Sequence, residues 1–323
     1  MIKVAVVCGG NSGEKVISMK SSLFVIESLN PKKYQGYQVL IEGSDWNYIA
    51  ADGTKAAIDK NDFSFTLAGE KTKFDVVFNI IHGDPGENGK LQAYFEMLGI
   101  PNTSSDSTVS ALTFNKAYCN HIVRDLKVNV AASMHLFKSQ QVDEEAILNH
   151  VGIPCFVKPN SGGSSIGMSK VNKPEELLPA IEKAFAEDEE ILIEEFFEGR
   201  ELTCGLMQTG KEMVVFPICE IISKKEFFDY EAKYQDDLVE ELIPAPIEAS
   251  VAEVIKANAV YLYKSLHLGG VARIDFIFND DDYIFLEVNT IPGLSAQSIV
   301  PNMARAYGWT NEELIERIIE EAF

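Results

Sequence analysis

The segment Val271-Ala-Arg-Ile-Asp-Phe-Ile-Phe-Asn-Asp-Asp-Asp-Tyr-Ile-Phe-Leu-Glu-Val-Asn289 carries the densest set of reactive side chains in the chain. Two runs of alternating apolar and polar residues flank Asp280-Asp281-Asp282, as in a β-hairpin. With those three as the turn, Asn279 pairs with Tyr283, Asp275 lies opposite Glu287, and Arg273 lies opposite Asn289. Arg273, Asp275, Glu287 and Asn289 then share one face, while Ile274, Phe276, Leu286 and Val288 take the other. Opposed carboxylates about 5 Å apart repel unless a cation lies between them. An all-oxygen set of Asp, Glu and Asn suits Mg²⁺, which favours few carboxylates plus substrate phosphates. A solvated sheet face on which Arg273 neutralises the acids is the alternative.

A second reactive stretch, Lys158-Pro-Asn-Ser-Gly-Gly-Ser-Ser-Ile-Gly-Met-Ser-Lys170, follows the apolar Ile153–Val157. Its glycines have the spacing of a P-loop, but Met168 stands where the phosphate lysine must be, which argues against a P-loop nucleotidase. It reads instead as a strand-loop-strand flap. Its glycines let backbone N–H groups approach an anion, and Ser164 and Ser165 supply hydroxyls. A plain Gly-rich hairpin fits this stretch equally well.

The elements that must hold these groups alternate between strand and helix along the chain, which indicates an α/β fold. A strand Val4–Cys8, a Gly9–Gly13 turn and a helix from Glu14 to Leu29, with Val16, Met19, Leu23 and Ile26 on one stripe, open a Rossmann-like lobe. Asn11 and Glu14 are spaced as a capping box. A strand Tyr37–Ile41, a polar Asp/Lys-rich segment, a strand Phe74–Ile81 and a helix Leu91–Leu98 complete that lobe, residues 1–104. One long helical pattern, Asp106–Leu126, opens a small middle α+β lobe, residues 105–193. In the third lobe, residues 194–323, single strands are expected over Thr203–Gln208 and Glu212–Ile222 ahead of the hairpin, and helices over Ser250–Leu266, Ile299–Tyr307 and Asn311–Ala322. Three lobes without long linkers place ligand clefts between them.

Composition narrows the function classes. At 323 residues and 46% apolar content the chain builds real cores. There is no run of about 18 apolar residues, and the first residues read as a strand lacking a basic signal region, so a cytoplasmic protein is expected. Five cysteines without a CxxC spacing point to small core residues rather than zinc or disulfides. A formal charge of −21 disfavours nucleic acid and anionic membrane as partners.

These stretches fall into a known order. The flap Lys158–Val171, the run Phe227-Phe-Asp-Tyr-Glu-Ala-Lys-Tyr234, and Arg273-Ile-Asp with Leu286-Glu-Val-Asn-Thr-Ile-Pro-Gly293 resemble the D-alanine–D-alanine ligases of the ATP-grasp superfamily. So do Gly9-Gly-Asn-Ser-Gly-Glu14, His82-Gly-Asp-Pro-Gly-Glu-Asn-Gly89 with Leu91-Gln92, and Ala111-Leu-Thr-Phe-Asn-Lys116. The resemblance covers nearly the whole chain and implies a three-lobed ATP-grasp architecture with an N-terminal Rossmann-like lobe.

It also implies roles. ATP would lie between the second and third lobes, with Lys116, Lys158 and Ser165 at its phosphates and Glu194, Glu195, Phe197 and Glu201 at adenine and ribose. Two Mg²⁺ or Mn²⁺ ions would be held by Asp275, Glu287 and Asn289. Glu14 would receive the first D-alanine's ammonium, with His82 nearby, and Ser164 and Tyr234 would link to Glu14 and close the site. Lys233 would touch the γ-phosphate and substrate carboxylate, Arg273 and the Gly293 N–H would stabilise the oxyanion, and Ser298 would bind the second substrate's carboxylate. The implied activity joins two D-alanines at the expense of ATP, through an acyl phosphate, for peptidoglycan precursors; the implied assembly is a homodimer.

Three stretches depart from the family pattern. Lys15 follows Glu14 where a second acid is usual, Glu195 stands where Lys is frequent, and Ser161-Gly162 replace Arg-Glu in the flap. Tyr234 and the pair Ser298-Ile299 favour D-alanine as second substrate. An ATP-grasp ligase for a different amino or hydroxy acid, and a catalytically dead nucleotide-binding module, are the competing readings; the second would be expected to have lost part of the Arg273, Asp275, Glu287, Asn289 set.

Overall fold

The computed structural model describes residues 1–163, 165–223, 239–279 and 282–323. The first sheet has the order β6-β5-β4-β3-β2-β1-β7, with β1 (Ile2–Gly9) parallel to both β2 (Tyr34–Glu42) and β7 (Val76–Asn79). The polar segment expected between the strands is itself sheet. It forms β3 (Asp45–Ile49), β4 (Lys55–Asp59), β5 (Ser64–Leu67) and β6 (Glu70–Thr72), an antiparallel extension of β2. Its few apolar residues alternate with charged ones and collect into an aromatic cluster in which Tyr48 stacks on Phe65 with ring centroids 4.2 Å apart.

Helix α1 (Lys15–Glu27) covers this sheet with a face that keeps only Ile26 of the expected stripe. Ser18, Ser21, Ser22 and Val25 are buried, whereas Val16, Met19 and Leu23 are exposed. Small serines let the helix approach the strand ends: the Ser18 hydroxyl accepts from the Gly9 N–H (3.0 Å) and donates to the Ile80 carbonyl (2.6 Å). The capping box does not form either. Asn11 instead donates to Asp84 (2.8 Å) and accepts from the Gly43 N–H (2.9 Å), joining two loops rather than a helix turn.

After α2 (Lys90–Leu98), the long helical pattern divides into α3 (Ser107–Phe114) and α4 (Lys116–Asp125). Asn115 leaves helical conformation at φ −84° and ψ 101°, bridges Ser161, and accepts from the Tyr118 N–H to cap α4. The middle sheet is antiparallel, ordered β10 (Ser169–Val171), β9 (Cys155–Pro159), β11 (Glu190–Glu195), β8 (Ser133–Phe137). It is backed by α5 (Glu144–Val151) and α6 (Leu177–Phe185), and its core, from Leu136 to Ile193, is separate from the others.

The third sheet runs β15 (Val239–Leu242), β14 (Cys219–Ser223), β12 (Arg200–Thr209), β16 (Val271–Phe278), β17 (Tyr283–Asn289), with β13 (Glu212–Val215) also on β12. The single strand expected over Glu212–Ile222 is therefore two, interrupted at Pro217, which cannot donate to a ladder. Helices α7 (Ala249–Ser265), α8 (Ile299–Tyr307) and α9 (Asn311–Glu320) pack around this sheet. One core joins β1 and β7 to α8 and α9 through Val4, Val6, Phe78, Met303, Ile315 and Ile318, so first and third lobes share a hydrophobic interior. All five cysteines are buried and free, and burial raises every thiol pKa, Cys8 to about 11 and Cys119 and Cys204 to about 12. They are core residues, as their spacing suggested.

Candidate functional site

The β16–β17 register pairs Arg273 with Asn289 and Asp275 with Glu287, as expected. Beyond them the ladder slips. Phe276 pairs with Phe285 and Phe278 with Tyr283, leaving Leu286 as an extra residue in a bulge. The bulge moves Leu286 off the core face assigned to it and onto the wall of a cleft, while Phe285 packs in the core with Phe276 and Val288.

The polar face of this hairpin is enclosed rather than solvated. Asp275 is 1% exposed. It is gripped by Arg273, whose Nη2 donates to Oδ2 (2.8 Å) and Nε to Oδ1 (3.0 Å). The Thr203 hydroxyl also donates to Asp275, as does the Asn289 amide (3.1 Å). Burial works against the guanidinium charge, but Asp275 and then Glu287 outweigh it and hold Arg273 above its usual range. The neutralising role given to Arg273 in the alternative reading is thus real, but it operates inside a cavity.

Two cavities of about 480 and 450 Å³ meet along this hairpin. The larger opens between the middle and third sheets, and Lys116, Lys158, Ser165, Glu194, Glu195, Phe197 and Glu201 all line it. Lys158 pairs with Glu194, which also accepts from the Asn120 amide (2.7 Å); both partners are buried. Glu195 is exposed and accepts from the Ala132 N–H at 3.4 Å. Phe156, Ile277, Ile284 and Leu286 give this cleft an apolar wall suited to a flat aromatic group.

The second cavity is lined by Glu14, His82, Arg273, Asp275, Glu287, Asn289, Gly293, Ser298 and Ile299. Lys116, Glu201, Glu287 and the flap glycines Gly162 and Gly163 belong to both. Lys116 donates to the Gly162 carbonyl (2.6 Å) and lies 4.0 Å from Glu287 Oε2. Every candidate among the described residues therefore lines one or both cavities. Ser164, Lys233 and Tyr234 lie outside the described residues.

Glu14 and His82 come from separate loops held to one another. The Ser12 hydroxyl donates to the His82 carbonyl (2.8 Å), and the Asn11 N–H donates to the Asp84 carbonyl (2.9 Å). Gly10, at φ +91°, is required there, because a Cβ would sit 2.6 Å from the Ile81 side chain. His82 is 7% exposed, and its Nδ1 lies 3.0 Å from the Ile291 carbonyl, an acceptor only. Nδ1 therefore carries the proton and Nε2, which has no partner among the described residues, presents a lone pair. Burial lowers the His82 pKa, with Glu14 opposing and Arg273 assisting, so the neutral ring is favoured.

Glu87 was overlooked in the sequence. It lines the second cavity, accepts from the Gly83 N–H (2.7 Å), and is raised to about 7 by burial, with Glu14 and Glu287 adding to the shift. Its place in the His82–Gly89 motif was the available signal. At the far end of the cavity, Ser298 precedes α8 without capping it, and its hydroxyl lies 2.7 Å from the Ser295 hydroxyl. The positive end of the α8 dipole faces this end of the cavity.

Comparison with known proteins decides the family. Residues 3–105 match the family model for the D-ala D-ala ligase N-terminus, and residues 122–320 match that for the D-ala D-ala ligase C-terminus. The chain belongs to the D-alanine–D-alanine ligase family. A D-alanine–D-alanine ligase from Phocaeicola vulgatus is 43% identical over 321 residues, 99% of either chain. Among solved structures, the VanG D-Ala:D-Ser ligase from Enterococcus faecalis is 31% identical, with a TM-score of 0.87 over 100% of this chain and 99% of that one. The D-alanine–D-alanine ligase from Bacillus anthracis complexed with ATP is 25% identical, with a TM-score of 0.78 over 100% of this chain and 97% of that one. The ATP-grasp fold expected for the family is the fold observed. Among the described residues no helix is long and apolar enough to cross a membrane.

Proposed function

We propose that this chain joins two D-alanines into D-alanyl-D-alanine with ATP, releasing ADP and phosphate, as a cytoplasmic step in peptidoglycan precursor synthesis. The observation that carries the reading is the junction of the two cavities. A nucleotide lying in the apolar-walled cleft would direct its terminal phosphate toward Lys116, Glu287 and the flap, where the acid-lined cavity begins. The lobes are taken as residues 1–104, 105–193 and 194–323, with the nucleotide between the second and third.

In this reading Glu14 binds the first D-alanine's ammonium and the His82 Nε2 lone pair accepts a further N–H from it. A carboxylate oxygen of that D-alanine attacks the γ-phosphorus and ADP leaves. The neutral amine of the second D-alanine, its carboxylate at Ser298 and the start of α8, attacks the resulting acyl phosphate. Arg273 and the Gly293 N–H face the tetrahedral oxyanion, and collapse expels phosphate, which carries off the proton that the attacking nitrogen loses. Lys116 and Lys158 hold the nucleotide phosphates, with Ser165 in the flap. Glu194, Glu195, Phe197 and Glu201 border adenine and ribose. Ser164 and Tyr234 are assigned by resemblance to closing the site, which excludes water from an acyl phosphate that water would destroy, and Lys233 to the γ-phosphate and the substrate carboxylate.

Asp275, Glu287 and Asn289 fit a hard divalent cation by donor chemistry, two directly opposed carboxylates and one side-chain carbonyl oxygen. They provide too few protein ligands for a closed site, so two Mg²⁺ or Mn²⁺ ions would share them with phosphate oxygens. When bound, the ions neutralise charge on those phosphates.

Ile299 gives the second subsite an apolar wall, which favours D-alanine over D-serine. The likeness to a D-Ala:D-Ser ligase makes D-serine the informative competitor. No nucleic acid or membrane partner is proposed. A homodimer is, since self-association would cover the exposed Val16, Met19 and Leu23 on α1. Phosphate release measured with ATP and D-alanine, D-serine, D-lactate or L-alanine tests the reading: D-alanine alone should sustain turnover, and turnover indifferent to D-alanine refutes it.

A further inference from the structure

Beneath the flap lies a buried polar residue that lines neither of the two cavities. Asn160 is 0% exposed and sits between β9, which carries Lys158, and the flap. Its N–H donates to the Glu190 carbonyl (2.9 Å) and its carbonyl accepts the Lys116 N–H (3.1 Å). Its side-chain Oδ1 accepts the Ala117 N–H (2.9 Å), and its Nδ2 donates to Glu190 Oε2 (3.0 Å). That same Glu190 oxygen is 2.8 Å from His135 Nε2. The first two N–H groups of α4, which a helix leaves without internal partners, are thus satisfied by one residue from another element. Asn115 takes the third, from Tyr118 (3.0 Å).

An amide is the side chain this position demands. It needs an acceptor toward the helix and a donor toward a carboxylate at the same short reach. Serine is too short, leucine has neither group, and aspartate would set a second carboxylate against Glu190.

We propose that Asn160 is a positioning residue for nucleotide binding: it fixes the start of α4, and so Lys116, relative to Lys158 and the base of the flap. The inference rests on the reading that ATP phosphates lie against these two lysines. Glu14, His82 and Arg273 are anchored in the other two lobes, so the loss of Asn160 falls mainly on the nucleotide.

The test separates the two substrates. Asn160→Ala should raise the ATP KM about tenfold, the loss of a helix cap expressed as affinity, while leaving the D-alanine KM within about twofold. Asn160→Asp should weaken ATP similarly, and Asn160→Asp combined with Glu190→Gln should restore it, because the pair exchanges donor and acceptor across the same contact. If Asn160→Ala folds too poorly to assay, the Asp variant with and without Glu190→Gln decides alone. An unchanged ATP KM in Asn160→Ala, or no recovery in the double variant, overturns the proposal. Calorimetric titration of the unaltered chain with ATP separates this failure from that of the underlying reading. No binding there overturns both, whereas binding that the variants leave unchanged overturns only the role of Asn160.

Discussion

Arg273 and Asp275, two residues apart on one strand, form a closed charge pair at the floor of the second cavity, with Nη2 to Oδ2 at 2.8 Å. The pair is buried, with side chains 16% and 2% exposed. Its geometry uses two nitrogens of a planar fork, which lysine cannot supply. Arg273→Lys is expected to lower kcat by about 10²–10³-fold, the usual cost of one oxyanion donor, with a smaller change in the ATP KM. Asp275→Ala strands a buried guanidinium and should cost about 3–5 kcal/mol in denaturant unfolding. Steady-state kinetics and unfolding curves check the two halves.

The carboxyl of Glu87, raised from 4.5 to about 7 chiefly by burial, makes stability depend on pH with a definite sign. Between these values the native chain keeps a proton that the unfolded chain gives up, so this contribution is present below the lower value and is lost as pH rises through the higher one. Glu87→Gln keeps an acceptor for the Gly83 N–H and removes that loss. Its unfolding midpoint, relative to the unaltered chain, should climb between pH 5 and pH 8; a constant gap contradicts the assignment. His82, lowered below 6.5, acts oppositely, losing its contribution as pH falls below that value.

Much of this was legible in the sequence because hairpin pairing is arithmetic. Asp275 facing Glu287, and Arg273 facing Asn289, follow from counting outward from a turn. The count failed nearer the turn, where one bulged residue shifted Leu286 to the other face, since a period of two carries no mark of an inserted residue. The apolar stripe of α1 misled because closeness, not apolarity, chose its buried face: Ser18 reaches Gly9 and Ile80 where a larger side chain would hold the helix away. The break at Asn115 depends on Asn160, forty-five residues downstream by position number, and no local pattern encodes it. Resemblance supplied what spacing lacked, namely that the loops bearing Glu14 and His82 converge.

A chelator should bring turnover to background, and Mg²⁺ or Mn²⁺ should restore it. Glu287→Ala should stay inactive with either ion, because Glu287 lies directly opposite Asp275 and 4.0 Å from the Lys116 ammonium. Activity near that of the unaltered chain contradicts the metal assignment.

Gly163 brings the flap against Glu14, and a Cβ there would sit 3.2 Å from Glu14 Oε2. Gly163→Ala should therefore lower kcat/KM for D-alanine by about 10- to 100-fold through misplacement of the ammonium site. Nucleotide binding without D-alanine should be nearly unchanged. Equal losses for both substrates would point to general damage to the flap instead.

The central claim is that the first D-alanine is activated as an acyl phosphate within the joined cavities. D-alanine labelled with ¹⁸O in its carboxylate tests it directly, by mass spectrometry of the phosphate released during turnover with ATP. The expected result is one ¹⁸O in each phosphate, in step with the D-alanyl-D-alanine formed. Unlabelled phosphate accompanying dipeptide formation would contradict the mechanism.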